Sequence, residues 1–235
     1  MKFAILLAYD GTNYCGWQAQ DNGISVQSVL ESAAEQTFGT KVSITGRTDS
    51  GVHAAGQVCS FSADTSVPPE KIADALNFRL PADICVLKSA AVPENFDANR
   101  SAKRKTYCYR MYCARREHPL KARCAVAVPP PDVPLMQKGA ALYCGEHDFA
   151  AYCASGSSAK TTVRTVYSVA VEEGFSRGSK DIFVTVCGGG FLYNMVRIIA
   201  GTLIRVGRGF YTPDCPAGNR AKLRRTVRIR KLPEA

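Results

Sequence analysis

The chain has 235 residues, 46% apolar and 21% charged, which suits one large or two moderate globular domains and excludes a disordered polymer. No apolar run approaches the ~20 residues of a membrane span, and the opening Met1–Ala8 stretch is too short for a signal-peptide core, which points to the cytoplasm. Lys and Arg number 30 against 20 Asp and Glu, a net charge of +10 that turns attention to polyanionic partners.

Residues 2–9 read as a buried strand ending at the Asp10-Gly11 turn. Ser25 is placed to cap a helix whose Val26, Val29, Leu30 and Ala33 fall at i, i+3, i+4 and i+7, and Gly39 is placed to close it. Val42 and Ile44 alternate within a predicted strand over 41–45, followed by a loop of small and polar residues from Gly46 to Gly56. A strand over 58–62, a helix opening at Pro68-Pro69-Glu70 and a strand over 84–87 complete a β-α-β-β-α-β unit of ferredoxin-like type.

After Arg100, the period-two run Tyr107, Tyr109, Met111 predicts a strand. A Pro-rich loop at 129–134 leads to a helix over 135–143, then strands over 163–171 and 181–186. Gly188-Gly189-Gly190 precedes a strong apolar helix over 191–206, whose N-terminus is a candidate phosphate seat. The expected domains are 1–99 and 100–213, with an atypical basic tail over 214–235. The similar order of elements in the two halves suggests duplication, although no direct repeat is visible.

The charge is clustered. Arg100, Lys103, Arg104, Lys105, Arg110, Arg115 and Arg116 give +7 without an acid, and residues 220–235 give +6. Tyr107, Tyr109 and Tyr112 interleave with the first cluster, and cations for phosphates beside aromatics for bases suit single-stranded or looped RNA. A solvated charged face is the plainer alternative for a single run. The 10 cysteines are scattered without a Cys-x-x-Cys pair, and His53, His118 and His147 lie far apart, so neither a zinc centre nor a disulfide scaffold is expected. Reduced, mostly buried thiols are.

Gly46-Arg47-Thr48-Asp49-Ser50-Gly51-Val52-His53-Ala54 is the stretch richest in chemistry. Its glycines permit close backbone approach, and Arg47 two residues from Asp49 would keep that carboxylate ionised. Asp49 is thus a candidate nucleophile or base, or else an aspartate that merely closes a turn. Arg197, set amid Met195-Val196 and Ile198-Ile199, either snorkels to solvent or pairs with a buried acid. Tyr9-Asp10-Gly11-Thr12 mimics an aspartyl phosphatase signature, but Ala8 stands where its nucleophile belongs, so that chemistry is rejected.

Together, Tyr9–Thr12 through Gly16-Trp17-Gln18, Gly46–Ala54, Ser101–Tyr107, His147-Asp148-Phe149 and Gly190–Arg197 closely resemble the tRNA pseudouridine synthase A family, in family order. The resemblance implies a cofactor-free isomerase that turns uridine into pseudouridine on the 3′ side of the tRNA anticodon stem-loop, usually as a homodimer. It implies that Asp49 is catalytic, that Tyr107 stacks on the target base, that Arg197 pairs with the aspartate, and that Arg47 helps occupy the space of the flipped nucleotide. Lys103, Arg104, Lys105 and Arg110 are the expected phosphate contacts, and no metal site is expected. The expected fold class is α+β: two ferredoxin-like, RRM-like halves whose antiparallel sheets form an extended mixed sheet with helices on one side and an active-site cleft between the halves. The tail departs from the family's apolar terminal strand, as a shortened or frame-shifted terminus would. That departure sustains one alternative, a weak or inactive tRNA-binding protein on the same scaffold. A generic RNA-recognition module is a third reading.

Overall fold

The computed structural model describes residues 1–20, 23–39, 41–46, 48–157 and 159–214. The expected basic tail therefore lies outside the described residues, except for its first residue, Asp214. The described chain forms two compact units, one from Met1 to Ala102 and one from Lys103 onward. It is α+β, with two sheets and four α-helices. No described helix is long and apolar enough to cross a membrane.

In the first unit, β1 (Lys2–Tyr9) lies between β2 (Ala54–Ser62) and β3 (Ile84–Ala91), antiparallel to both. Alternate residues Phe3, Ile5, Leu7 and Tyr9 of β1 are buried, as a sheet with one covered face requires. Helix α1 (Val26–Phe38) begins with a reciprocal cap: the Ser25 hydroxyl accepts from the Ser28 N–H, and the Ser28 hydroxyl accepts from the Ser25 N–H. Gly39, at φ 70°, ends the helix in the left-handed conformation. Helix α2 (Ile72–Asn77) follows a single 3-10 turn at Pro69–Lys71 and buries Ile72, Ala73 and Leu76.

The strand predicted over 41–45 is not formed. Val42 and Ile44 are buried as their alternation demands, yet the segment makes only the isolated bridge Thr45–Ser60. The reason is a competing acceptor: the Ile44 N–H donates to the Glu31 side chain of α1, at 2.9 Å, rather than to a strand. The loop predicted to run to Gly56 ends earlier, because β2 begins at Ala54.

The second unit holds a five-stranded sheet, from β4 (Lys105–Cys113), β5 (Val126–Val128), β6 (Gly145–Asp148), β7 (Val163–Ser176) and β8 (Ser179–Gly188). The order is β5-β4-β8-β7-β6, mixed because β4 and β5 run parallel. Helices α3 (Val133–Ala141) and α4 (Met195–Gly207) pack against it through Met136, Ala140, Ile199 and Leu203. Sequence reading passes over β5 and β6, which are too short to show a period.

The predicted helix over 191–206 starts four residues later, at Met195. Gly188 still belongs to β8, where a Cβ would stand 2.9 Å from the Thr165 carbonyl and 3.1 Å from the Phe191 ring. The Gly189 N–H then bonds Thr165, and Asn194 enters the helix at φ 57° without a side-chain cap. Gly188 and Gly189 therefore meet close neighbours while Gly190 has open space, and the helix N-terminus lies at Met195 rather than directly behind the triplet. The cysteines correct another expectation: among the described residues nine are free, only Cys59 is buried, and Cys85, Cys108, Cys124 and Cys144 are exposed.

Candidate functional site

In the first unit, the loop bearing Asp49 is laced to the segment Gly11–Trp17 by backbone. The Trp17 N–H donates to the Thr48 carbonyl at 3.1 Å, and the Gly51 N–H to the Tyr14 carbonyl at 3.3 Å. Tyr9 and Thr48 share a hydroxyl–hydroxyl bond of 2.7 Å. The carbonyls of Gly16 and Trp17 in turn accept the N–H groups of Val26 and Gln27, two of the donors that open α1. Asp49 is thus tied to α1 through backbone and to β1 through the Tyr9–Thr48 hydroxyl pair, and its residue stays half-exposed.

Three glycines make this lacing possible. A Cβ on Gly11 would stand 2.3 Å from the Val52 carbonyl oxygen, and one on Gly46 would stand 2.5 Å from the indole of the fully buried Trp17. Gly16, at φ +107°, would place a Cβ 3.0 Å from the Ser50 nitrogen and 3.1 Å from the Asp49 carbonyl carbon. The neighbours of Gly11 and Gly16 are backbone and cannot swing aside. Gly16→Ala is expected to lower stability by about 1–3 kcal/mol and to shift the backbone amide resonances of residues 48–51. Urea unfolding and amide spectra check both effects.

The flank of the loop is polar. The Asp10 carboxylate accepts from the Thr12 N–H and hydroxyl, and His53 Nδ1 lies 3.1 Å from it. The Gly11 N–H points at the same Nδ1, at 3.2 Å. Tyr14 donates to Asp83 at 2.6 Å, and burial, reinforced by that bond and by the Asp83 charge, pushes its phenol well above the ordinary range. Arg47 lies outside the described residues.

The second unit carries the other predicted residues. Tyr107 projects from β4 opposite Val186, half-exposed, with its ring edge-to-face on Phe191 at 5.4 Å between centroids. Tyr109, two residues on and on the same face, is buried. Burial pushes its phenol up to about 12, against the pull of the Arg197 charge. Arg197 sits in the first turn of α4, half-buried. Phe191 is the ring partner that sequence reading passes over, and Tyr109, read there among the aromatics for bases, is instead buried within reach of the Arg197 charge. Each is visible as an aromatic at the right period, but nothing local says which charge or ring it meets.

The four expected phosphate contacts do not form one surface. Lys105 shares the Tyr107 face of β4, and Lys103 and Arg104 are exposed just before it. Arg110 falls on the opposite face, by the alternation of the strand, and lies over the Phe183 ring at 5.6 Å. Among the described residues no group of acids, histidines and cysteines could hold a metal ion.

Comparison with known proteins adds to this geometry. A family sequence model described as tRNA pseudouridine synthase matches residues 5–99 and 140–234. The tRNA pseudouridine synthase A of Geotalea uraniireducens is 42% identical over 225 residues, 92% of this chain and 88% of that protein. Its counterpart in Ruminiclostridium cellulolyticum is 44% identical over 211 residues, 88% of this chain and 85% of that protein. The one from Thermoanaerobacter pseudethanolicus is 44% identical over 213 residues, 89% and 86% of the respective chains.

Proposed function

The chain belongs to the tRNA pseudouridine synthase family, and on that premise we propose that it isomerises uridine on the 3′ side of the tRNA anticodon stem-loop, with Asp49 as the reacting group. The observation that carries the reading is the Asp49 loop itself, a half-exposed aspartate on a backbone fixed by Gly11, Gly16 and Trp17.

The isomerisation breaks the N1–C1′ bond, turns the uracil and joins C5 to C1′. Substrate and product have the same atoms and oxidation state, so the reaction needs no stoichiometric co-reactant. A base inside a stem must first leave its stack, at a cost of a few kcal/mol. Tyr107, braced by Phe191, presents a ring for the extruded uracil, and stacking there returns about 1–3 kcal/mol. Asp49 then attacks C6 or C1′, or removes a proton to give a glycal. The Arg197 guanidinium is assigned to keep the carboxylate charged and aimed, and Arg47 to help fill the space the nucleotide leaves. Lys103, Arg104 and Lys105 are assigned to the flanking phosphates. The proposal includes the two ferredoxin-like halves and the homodimer that the resemblance implies.

The direct test is incubation of the purified chain with unmodified tRNA, followed by mapping of pseudouridine. A substitution pair at Tyr107 separates ring from hydroxyl. Tyr107→Leu is expected to lower kcat/KM by about 10- to 100-fold, the equivalent of the lost stack, while Tyr107→Phe keeps the stacking share. Equal losses in both variants would assign the role to the hydroxyl instead.

A further inference from the structure

The sequence presents its first basic cluster as one run, from Arg100 to Arg116, and the fold cuts that run in two. Strand β4 occupies Lys105–Cys113, so Lys103, Arg104 and Lys105 stand at one end of the sheet with Tyr107, while Arg115 and Arg116 stand beyond the other. The six residue steps from Tyr107 to Cys113 alone separate the ends by roughly 20 Å. The far end is also where the β7–β8 hairpin turns, because Tyr112 pairs with Asp181 and Ser176 pairs with Ser179. The turn residues are Arg177 and Gly178, and Arg177 is exposed at φ 47°, a conformation that favours glycine and asparagine. Arg115, Arg116 and Arg123 are exposed too, and Glu117 is the one acid between Arg115 and Arg123.

This end is built rigidly. The Lys121 ammonium is buried and donates to the Ser176 carbonyl at 2.6 Å, the Ser179 hydroxyl at 2.7 Å and Asp181 at 2.6 Å. Arg177 donates to the Leu120 carbonyl at 3.1 Å, and the Tyr112 hydroxyl accepts from the His118 N–H at 2.7 Å. The loop after β4 and the hairpin tip are thus locked together, and the arginines they carry share one frame. Of the hairpin's three acids, Asp181 is engaged with Lys121 and Glu173 with Lys180, while Glu172 lies opposite Phe183, five residues before the turn arginine.

We propose that Arg115, Arg116 and Arg177 form a second RNA-backbone site, which grips a helical part of the same tRNA away from the target nucleotide. The inference rests on the proposed function for the identity of the RNA. A guanidinium suits a phosphate bidentately, and a fixed frame loses little freedom on binding. The separation from Tyr107 exceeds the reach of one extruded nucleotide and its neighbours, so only an RNA with an extended body touches both ends.

The test compares the wild-type chain with the triple variant Arg115→Ala, Arg116→Ala, Arg177→Asn, in which asparagine tolerates the left-handed turn. Two RNAs are used, a full-length unmodified tRNA and a hairpin of its anticodon arm alone. The variant is expected to bind full-length tRNA about tenfold more weakly, with the slope of log affinity against log salt shallower by about two to three units. Its binding and modification of the short hairpin stay at wild-type levels. Unchanged tRNA affinity overturns the site, and so does an equal loss on both RNAs. Lost binding to phosphatidylserine vesicles with tRNA affinity intact overturns it in favour of a membrane surface. Failure of the wild-type chain to form pseudouridine in either RNA would count against the proposed function, while the binding comparison would still decide the site.

Discussion

Asp49→Asn is expected to reduce pseudouridine formation to background, a loss of about 10⁴-fold or more, while tRNA affinity changes little. The amide matches the carboxylate in shape, so the loop lacing through Thr48, Asp49 and Gly51 is retained. It can neither attack carbon nor take a proton at neutral pH. Affinity comes mainly from phosphate contacts and stacking, which the substitution leaves alone. Turnover that survives the change would remove Asp49 from the chemistry. A wild-type chain that binds tRNA and forms no product would favour the silent-scaffold alternative. The two readings therefore separate on one pair of proteins and one product assay.

The largest expected effect on stability belongs to Lys121. Its side chain is 7% exposed and that of Asp181 is 10% exposed, so truncating the lysine leaves a buried carboxylate without its main partner. Lys121→Met is expected to cost about 3–5 kcal/mol, read as a lower urea midpoint of the full chain. The double variant Lys121→Met, Asp181→Leu should recover much of the loss, because a buried pair is often no better than an apolar one.

The same pair sets an acid dependence. Burial alone would raise the Asp181 carboxyl, but the hydrogen bonds from Lys121 and Ser176, with the charges of Lys121 and Arg110, hold it below its ordinary value. A carboxyl depressed in the folded state contributes stability above its unfolded value of about 3.9. That contribution is lost as pH falls through the folded value. Wild-type stability should therefore show a component that disappears below about pH 4, and the double variant should lack it. An identical acid profile in both proteins would mean that Asp181 is not held in this way.

Local order was legible in the residues. Ser25, Gly39 and the i, i+3, i+4 apolar pattern define α1, and alternation defines β1 and β4, because caps and periods act within about one turn or one strand. The Asp49 loop was legible as a motif for the same reason, its glycines and its aspartate being neighbours in the chain. What the motif does not show is why those glycines are there: Gly16 accommodates the backbone of Ser50, and Gly46 accommodates the ring of Trp17.

The sequence by itself determined the α+β character, most of the elements, and the family to which the Asp49 loop points. Only the tertiary structure decided where donors and charges went. Ile44 gave its N–H to Glu31 and lost a strand, Arg110 turned away from Tyr107, and the glycine triplet closed a strand rather than opening a helix. Lys121 found Asp181 across 60 residues and so fixed the far arginines in one frame. The physical reason is range. Periodicity and capping are written into adjacent residues, whereas the partner of a buried N–H or charge is chosen among groups that only folding brings within hydrogen-bond reach.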